Sequence, residues 1–127
     1  MIVDTSALIA VLLTEPDAGP LENALDQAAS IRMSAGTWVE LSLVAGGRGV
    51  LEEADDLLRD LSVEIVPFDA EQAAIARDAQ QRFGSGRDRL NFGDTFAYAL
   101  AKHTGEPLLF KRRDFARTDV ISALSAS

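Results

Sequence analysis

An α/β sandwich built around a mainly parallel sheet is the fold this sequence predicts, and three observations carry the prediction. Short β-like runs alternate with longer stretches of helical period in the order β-α-α-β-α-α-β-α-α-β. The length of 127 residues and the 47% hydrophobic content suffice for one core, so a single domain over 1–127 is expected. No Cys is present, so the fold has no disulfide staples to lean on.

Residues 1–3 form an apolar run closed by Asp4-Thr5-Ser6, all residue types that cap helices. Residues 7–13 continue as a largely buried helix, stopped near Pro16, and Leu21, Leu25 and Ala28 space as one helix face. Residues 30–34 read as a second strand and 37–45 as a helix that Gly46-Gly47 ends or kinks. Leu51, Ala54, Leu57, Leu58 and Leu61 fit a 3.6-residue period. Residues 63–68 alternate as a third strand. Residues 70–83 are helical, with Ala73, Ala74, Ala76 and Ala79 on a close-packing side. Residues 84–91 make a glycine- and charge-rich loop, 94–103 a helix ended by Gly105, and 107–110 a fourth strand.

Composition narrows the chemistry. Without Cys and with His103 as the single histidine, thiol nucleophiles, cysteine zinc sites and multi-histidine sites are excluded. Oxygen-ligand metal chemistry, or hydroxyl and carboxylate chemistry, is left. The net charge of −8 argues against indiscriminate nucleic-acid binding, but it conceals an asymmetry. Residues 1–76 hold three basic against fourteen acidic residues, whereas 77–117 hold nine basic against five acidic, a local balance of +4. The apolar N-terminus lacks a basic leader and is broken by Asp4, so a cytoplasmic protein is expected.

In open parallel sheets, sites form beyond the carboxyl ends of the strands. Asp4 follows the first strand, and Asp94 opens a helix after Gly93; each also reads as a helix cap. Glu40 sits in TWVELSLVA among apolar neighbours, where a carboxylate is paired, metal-bound or neutral. Three carboxylates from separated elements suit Mg²⁺ or Mn²⁺, which favour oxygen ligands completed by water.

The blocks MIVDTSALIAVLLTEP, WVELSLV, LNFGDTFAYALAKHTGEPLLFK and DFARTDV, which together span essentially the whole chain, resemble a PIN-domain ribonuclease, and more closely the VapC toxins of VapB–VapC toxin–antitoxin pairs. The resemblance implies a PIN-like three-layer sandwich whose mainly parallel central sheet has four or five strands. It implies a Mg²⁺- or Mn²⁺-dependent endoribonuclease that leaves 3′-hydroxyl and 5′-phosphate ends. Asp4, Glu40 and Asp94 are its implied metal-binding and catalytic set. It further implies a homodimer and a cognate VapB-type antitoxin that blocks the site.

One block departs from the family pattern. Where a stretch such as KGDDF is common, this chain has Lys111-Arg112-Arg113-Asp114-Phe115. Asp114 matches the last acidic position, while Arg112 and Arg113 either weaken a second metal position or bind phosphate. Asp119 is a weaker acidic candidate. Arg82, Arg87, Arg89, Lys111, Arg112 and Arg113 are candidates for steering RNA phosphates. Thr5 and Ser6 either support the carboxylates or only cap the first helix, and Asn91 either touches RNA or holds its loop. His103 is expected against helix-terminal carbonyls, and Trp38 and Tyr98 in the core. Two alternatives stand beside the nuclease: a catalytically weak PIN-like binding module, and a phospho-receiver-like domain with Asp69 after the third strand.

Overall fold

The structure is a computed structural model describing residues 1–111 and 113–124, with Asp114 described in its backbone only. Four strands, β1 (Ile2–Val3), β2 (Arg32–Ser34), β3 (Glu64–Val66) and β4 (Leu108–Leu109), form one sheet in the order β3-β2-β1-β4. Every pairing is parallel, with Ile2 opposite both Arg32 and Leu108, and Met33 opposite Ile65. The fifth strand is reduced to a single bridge between Leu108 and Ser122.

The helices are α1 (Thr5–Leu12), α2 (Ala18–Gln27), α3 (Ala35–Gly47), α4 (Leu51–Asp60), α5 (Ala70–Phe83) and α6 (Phe92–Thr104). Alternation along the central strands separates two cores. Val3, Met33 and Leu109 face a cluster with Leu8, Leu21, Leu25 and Leu41. Ile2 and Leu108 face the other cluster, with Leu90, Ala97, Tyr98, Leu100 and Phe115. The sheet therefore lies between two helical layers, as expected. None of the helices is long and apolar enough to cross a membrane among the described residues.

The differences from the sequence reading lie at element ends. Each strand is shorter than its apolar run, because only residues with a strand neighbour on the twisted sheet complete the ladder. Helices α1, α3 and α6 start earlier than expected, because Asp4, Ser34 and Asn91 cap them directly after a strand or loop. Gly46-Gly47 remains helical, and the chain turns after it at Gly49, whose φ of +73° suits glycine. Trp38 is 44% exposed and so is not a core residue, while Tyr98 is. The buried stripe of α3 is Thr37, Leu41 and Ala45, which turns Trp38, Val39 and Leu43 outward.

Candidate active site

Three helices begin at the carboxyl edge of the sheet or beside it, and each brings a carboxylate. Asp4 directly follows β1, its N–H donating to the Leu109 carbonyl (3.0 Å). Its Oδ2 accepts from Ser6 N–H (3.0 Å) and from Ser6 Oγ–H (2.6 Å). Ser6 Oγ in turn accepts from the Lys111 N–H (3.0 Å), which joins Asp4 to the segment after β4. With that amide occupying its acceptor side, the hydroxyl proton is committed to Asp4.

Asp94 lies in the first turn of α6 in a capping box. Its Oδ2 accepts from Asn91 N–H, and Asn91 Oδ1 accepts from Asp94 N–H, both at 3.0 Å. Asp4 is thus the N-cap of α1, as expected, whereas the cap of α6 is Asn91, with Asp94 as its capping-box partner. Both aspartates are fully buried. Burial of a carboxylate costs free energy unless hydrogen bonds or a counter-charge offset it, and the donors from Ser6 and Asn91 supply part of that offset.

Glu40 is half-buried on α3 and reaches both neighbouring helices. Thr5 Oγ–H donates to Glu40 Oε1 at 2.7 Å, one residue from Asp4. On the other side the carboxylate occupies the space above Gly93, where an added Cβ would lie 2.8 Å from the Glu40 carboxyl carbon and collide with Oε2. Gly93 thus lets Glu40 approach the residue next to Asp94. The sequence reading missed this glycine; its signal was a poor helix former in the first turn of a helix, immediately before the acidic residue. A second glycine makes a similar close fit, since a Cβ at Gly36 would overlap the Phe96 ring and keep α3 from seating on α6.

The donor set is all oxygen, as Mg²⁺ and Mn²⁺ prefer. Among the described residues, no group of three acidic or histidine side chains closes to a geometry that holds an ion directly. That is compatible with ions of this kind, which keep several waters and bind through one or two carboxylates. A cleft of about 440 Å³ adjoins Glu40, lined by Thr5, Ser6, Ile9, Val44, Lys111 and Arg113 among others.

The basic candidates divide. Arg113 lines the cleft, whereas Lys111 Nζ is held by Glu15 and by Asp17 at 3.2 Å, contacts that raise its pKa. Arg82 is turned away, paired with Asp78 (3.4 Å) and Asp119 (3.5 Å) and stacked 4.7 Å from the centre of the Phe83 ring. Arg87 and Arg89 are exposed in the loop before α6. Arg112 and the Asp114 side chain lie outside the described residues, although the Asp114 backbone sits in a short 3₁₀ turn (Arg113–Phe115).

Asp119 serves elsewhere, accepting from the Tyr98 hydroxyl (2.5 Å) and pairing with Lys102 (3.3 Å). Burial pushes the Tyr98 hydroxyl pKa upward, reinforced by the bond to Asp119. His103 Nδ1 stands 3.8 Å from Glu71. Asp69 caps α5 through Gln72 N–H (2.9 Å) after β3, a strand that does not neighbour β1. A receiver-like order sets those two strands side by side, so that alternative does not fit.

A parallel α/β sandwich with buried aspartates at its carboxyl edge defines a class of protein, and the sequence profile described as "PIN domain" matches residues 1–121. The chain belongs to the PIN domain family. Its relatives include the "Ribonuclease VapC" of Mycolicibacterium smegmatis, 46% identical over 129 residues and spanning 94% of this chain and 97% of that one. Another is "Ribonuclease VapC42" of Mycobacterium tuberculosis, 43% identical over 126 residues, spanning 94% and 96%. Solved structures share the fold at lower identity. The M. tuberculosis VapC20 structure, titled a sarcin-ricin loop cleaving toxin, aligns with a TM-score of 0.73 at 16% identity over 94% of this chain and 95% of that one. A toxin–antitoxin complex from Klebsiella pneumoniae aligns at 0.73 and 19% identity, over 99% and 98%.

Proposed function

We propose that this chain is a Mg²⁺- or Mn²⁺-dependent endoribonuclease, the toxin of a type II toxin–antitoxin pair, acting in the cytoplasm and neutralised by a VapB-type antitoxin. The observation that carries the reading is the linked set Asp4–Thr5–Glu40–Gly93–Asp94 at the carboxyl edge of a parallel sheet. The names of the relatives, VapC ribonucleases aligned along nearly their whole length, support the activity. Solved neighbours titled as a toxin–antitoxin complex and as VapBC2 bound to promoter DNA support the antitoxin partner.

Asp4 and Asp94 would hold the divalent ion, with Glu40 as a further ligand or as the group that orients the attacking water. Asp114 is a fourth acidic contributor by resemblance. When bound, the ion lowers the pKa of water and neutralises charge developing on the phosphate. The protein's own side chains do the positioning. Ser6 fixes the orientation of Asp4, Thr5 fixes Glu40, and the Asn91 capping box fixes Asp94. Arg113 at the cleft, with Arg87 and Arg89 in the loop, offers cations to the backbone of an approaching RNA. Trp38, Val39 and Leu43 supply exposed apolar surface for the homodimer that the resemblance implies.

The test is mapping of cleavage sites on total RNA with wild-type protein and Asp4→Asn, with and without EDTA. Discrete cuts that vanish with chelator and with the substitution are expected. Metal and RNA binding without cleavage would instead favour the weak binding module.

A further inference from the structure

Beyond the carboxylates, the groove with the most defined chemistry runs between α5 and α6, about 490 Å³ in volume, and none of the roles assigned above uses it. Its apolar walls are the rings of Phe68, Phe92 and Phe96. Phe68 and Phe96 meet edge to face at 4.8 Å between centres, and Phe92 and Phe96 at 5.2 Å. Phe92 is 75% exposed, the most exposed large apolar side chain among the described residues. Its contact with Phe96 covers only part of the ring, so most of it is left open to an occupant.

The rim is polar in a particular way. Arg77, Gln80 and Gln81 line the groove from α5. Arg77 is exposed and makes no ion pair among the described residues, in contrast to Arg82 one turn further on, which Asp78 and Asp119 hold. Aromatic faces beside amide groups and a free guanidinium match a nucleobase with its flanking phosphate. The ring stacks, the amides meet its hydrogen-bonding edge, and the cation meets the backbone. An unpaired buried cation would oppose packing of an apolar protein surface at the same place.

The groove and the carboxylates meet at one helix start, on different sides of it. Phe92 and Asp94 share the first turn of α6, with the Glu40 carboxylate lying over Gly93 between them. We propose that this groove is a nucleobase subsite of the RNA track, in which an unpaired base flanking the cleaved bond stacks on Phe92 while Arg77 takes a neighbouring phosphate. The assignment rests on the ribonuclease reading and adds to it a determinant of where the strand is held. Arg77 was not among the cations the sequence singled out.

The experiment measures binding of a labelled, mixed-sequence single-stranded oligoribonucleotide by fluorescence anisotropy in EDTA, where no cleavage occurs. Phe92→Ala should weaken binding by about tenfold, and Phe92→Trp should preserve it. An oligomer of the same length carrying abasic sites should bind wild type and Phe92→Ala alike. Arg77→Ala should weaken binding and reduce the logarithmic salt slope by about one. Unchanged affinity of Phe92→Ala overturns the proposal. So does a loss of affinity that tracks dissociation of a dimer in sedimentation, which would give the groove to a second copy. Cleavage of total RNA with Mg²⁺ separates the two claims. If wild type cuts nothing while binding stays sensitive to Phe92, the ribonuclease reading fails and the subsite stands. If cutting is intact and Phe92→Ala changes neither binding nor cleavage, the subsite alone fails.

Discussion

At the amino end of β1 the Met1 ammonium (2.8 Å) and the Arg32 guanidinium both donate to Glu106, whereas at the carboxyl end Asp4 takes hydrogen bonds from the amide and hydroxyl of Ser6. Strand β1 itself is only Ile2–Val3, so the two arrangements are separated by one pair of residues. At the first end a carboxylate is matched by cations and serves the fold. At the second, the Ser6 hydroxyl and backbone N–H groups orient Asp4 and Asp94. Such donors set the direction of a carboxylate, as the groups hydrogen-bonded behind metal ligands do, whereas Met1 and Arg32 match Glu106 with positive charge. The contrast teaches that residue type alone does not mark a site; the donors around it do.

The comparison can be broken most directly at the carboxyl end. Asp94→Asn should lower metal-dependent RNA cleavage by roughly two orders of magnitude or more, the scale on which positioned electrostatic groups act. The circular dichroism spectrum should be retained, because the Asn amide oxygen can still accept from the Asn91 N–H. Cleavage at wild-type rate by the purified variant would remove the site assignment. Gly93→Ala should come next, with a loss of roughly tenfold to a hundredfold in kcat. Its methyl group displaces Glu40 Oε2 without entering the core, so the melting temperature should change little. Ser6→Ala follows, with a fall in cleavage of about tenfold and a stability loss of about 1 kcal/mol from the missing hydroxyl bonds.

The smallest expected effect on activity lies at the amino end. Burial alone would raise the Glu106 pKa, but hydrogen bonds from the Met1 ammonium and Arg32 outweigh it and hold the carboxyl below its ordinary range. A carboxylate depressed in the folded state stabilises above its unfolded pKa, and that contribution disappears as pH falls through the folded value. Glu106→Gln should therefore cost about 1 kcal/mol at neutral pH, measured by urea unfolding, and progressively less in acid, with cleavage unaltered. Loss of cleavage comparable with Gly93→Ala would erase the distinction between the two ends.

Element order was legible in the sequence because the apolar period switches cleanly between strand and helix. The end positions were not, since Asp4, Ser34 and Asn91 start their helices through side-chain caps that overrule the apolar pattern. Asp4, Glu40 and Asp94 were nameable from residue type, position and resemblance. What could not be read was their linkage, because Thr5 meeting Glu40 and Glu40 filling the space above Gly93 are contacts between distant segments. Trp38 illustrates the opposite error. An apolar run on a helix looks like core until the buried stripe is known, and here that stripe runs through Thr37, Leu41 and Ala45. Among the cations, Arg82 and Lys111 carry charge in the sequence, but their partners were invisible there.

Strand β1 sits between β2 and β4, and Asp4 depends on the later of these for its backbone bond to Leu109 and for the Lys111 amide that fixes Ser6, a contact spanning 105 residues. Residues 2–4 thus wait for residues 108–111 before their edge of the sheet can close. Local helices form early, but pairing of such high sequence separation comes late. A nascent chain therefore carries Asp4 through all the intervening residues without the geometry that orients it. The topology acts as a timer: the edge that holds Asp4 closes only after β4 and the segment behind it have been made.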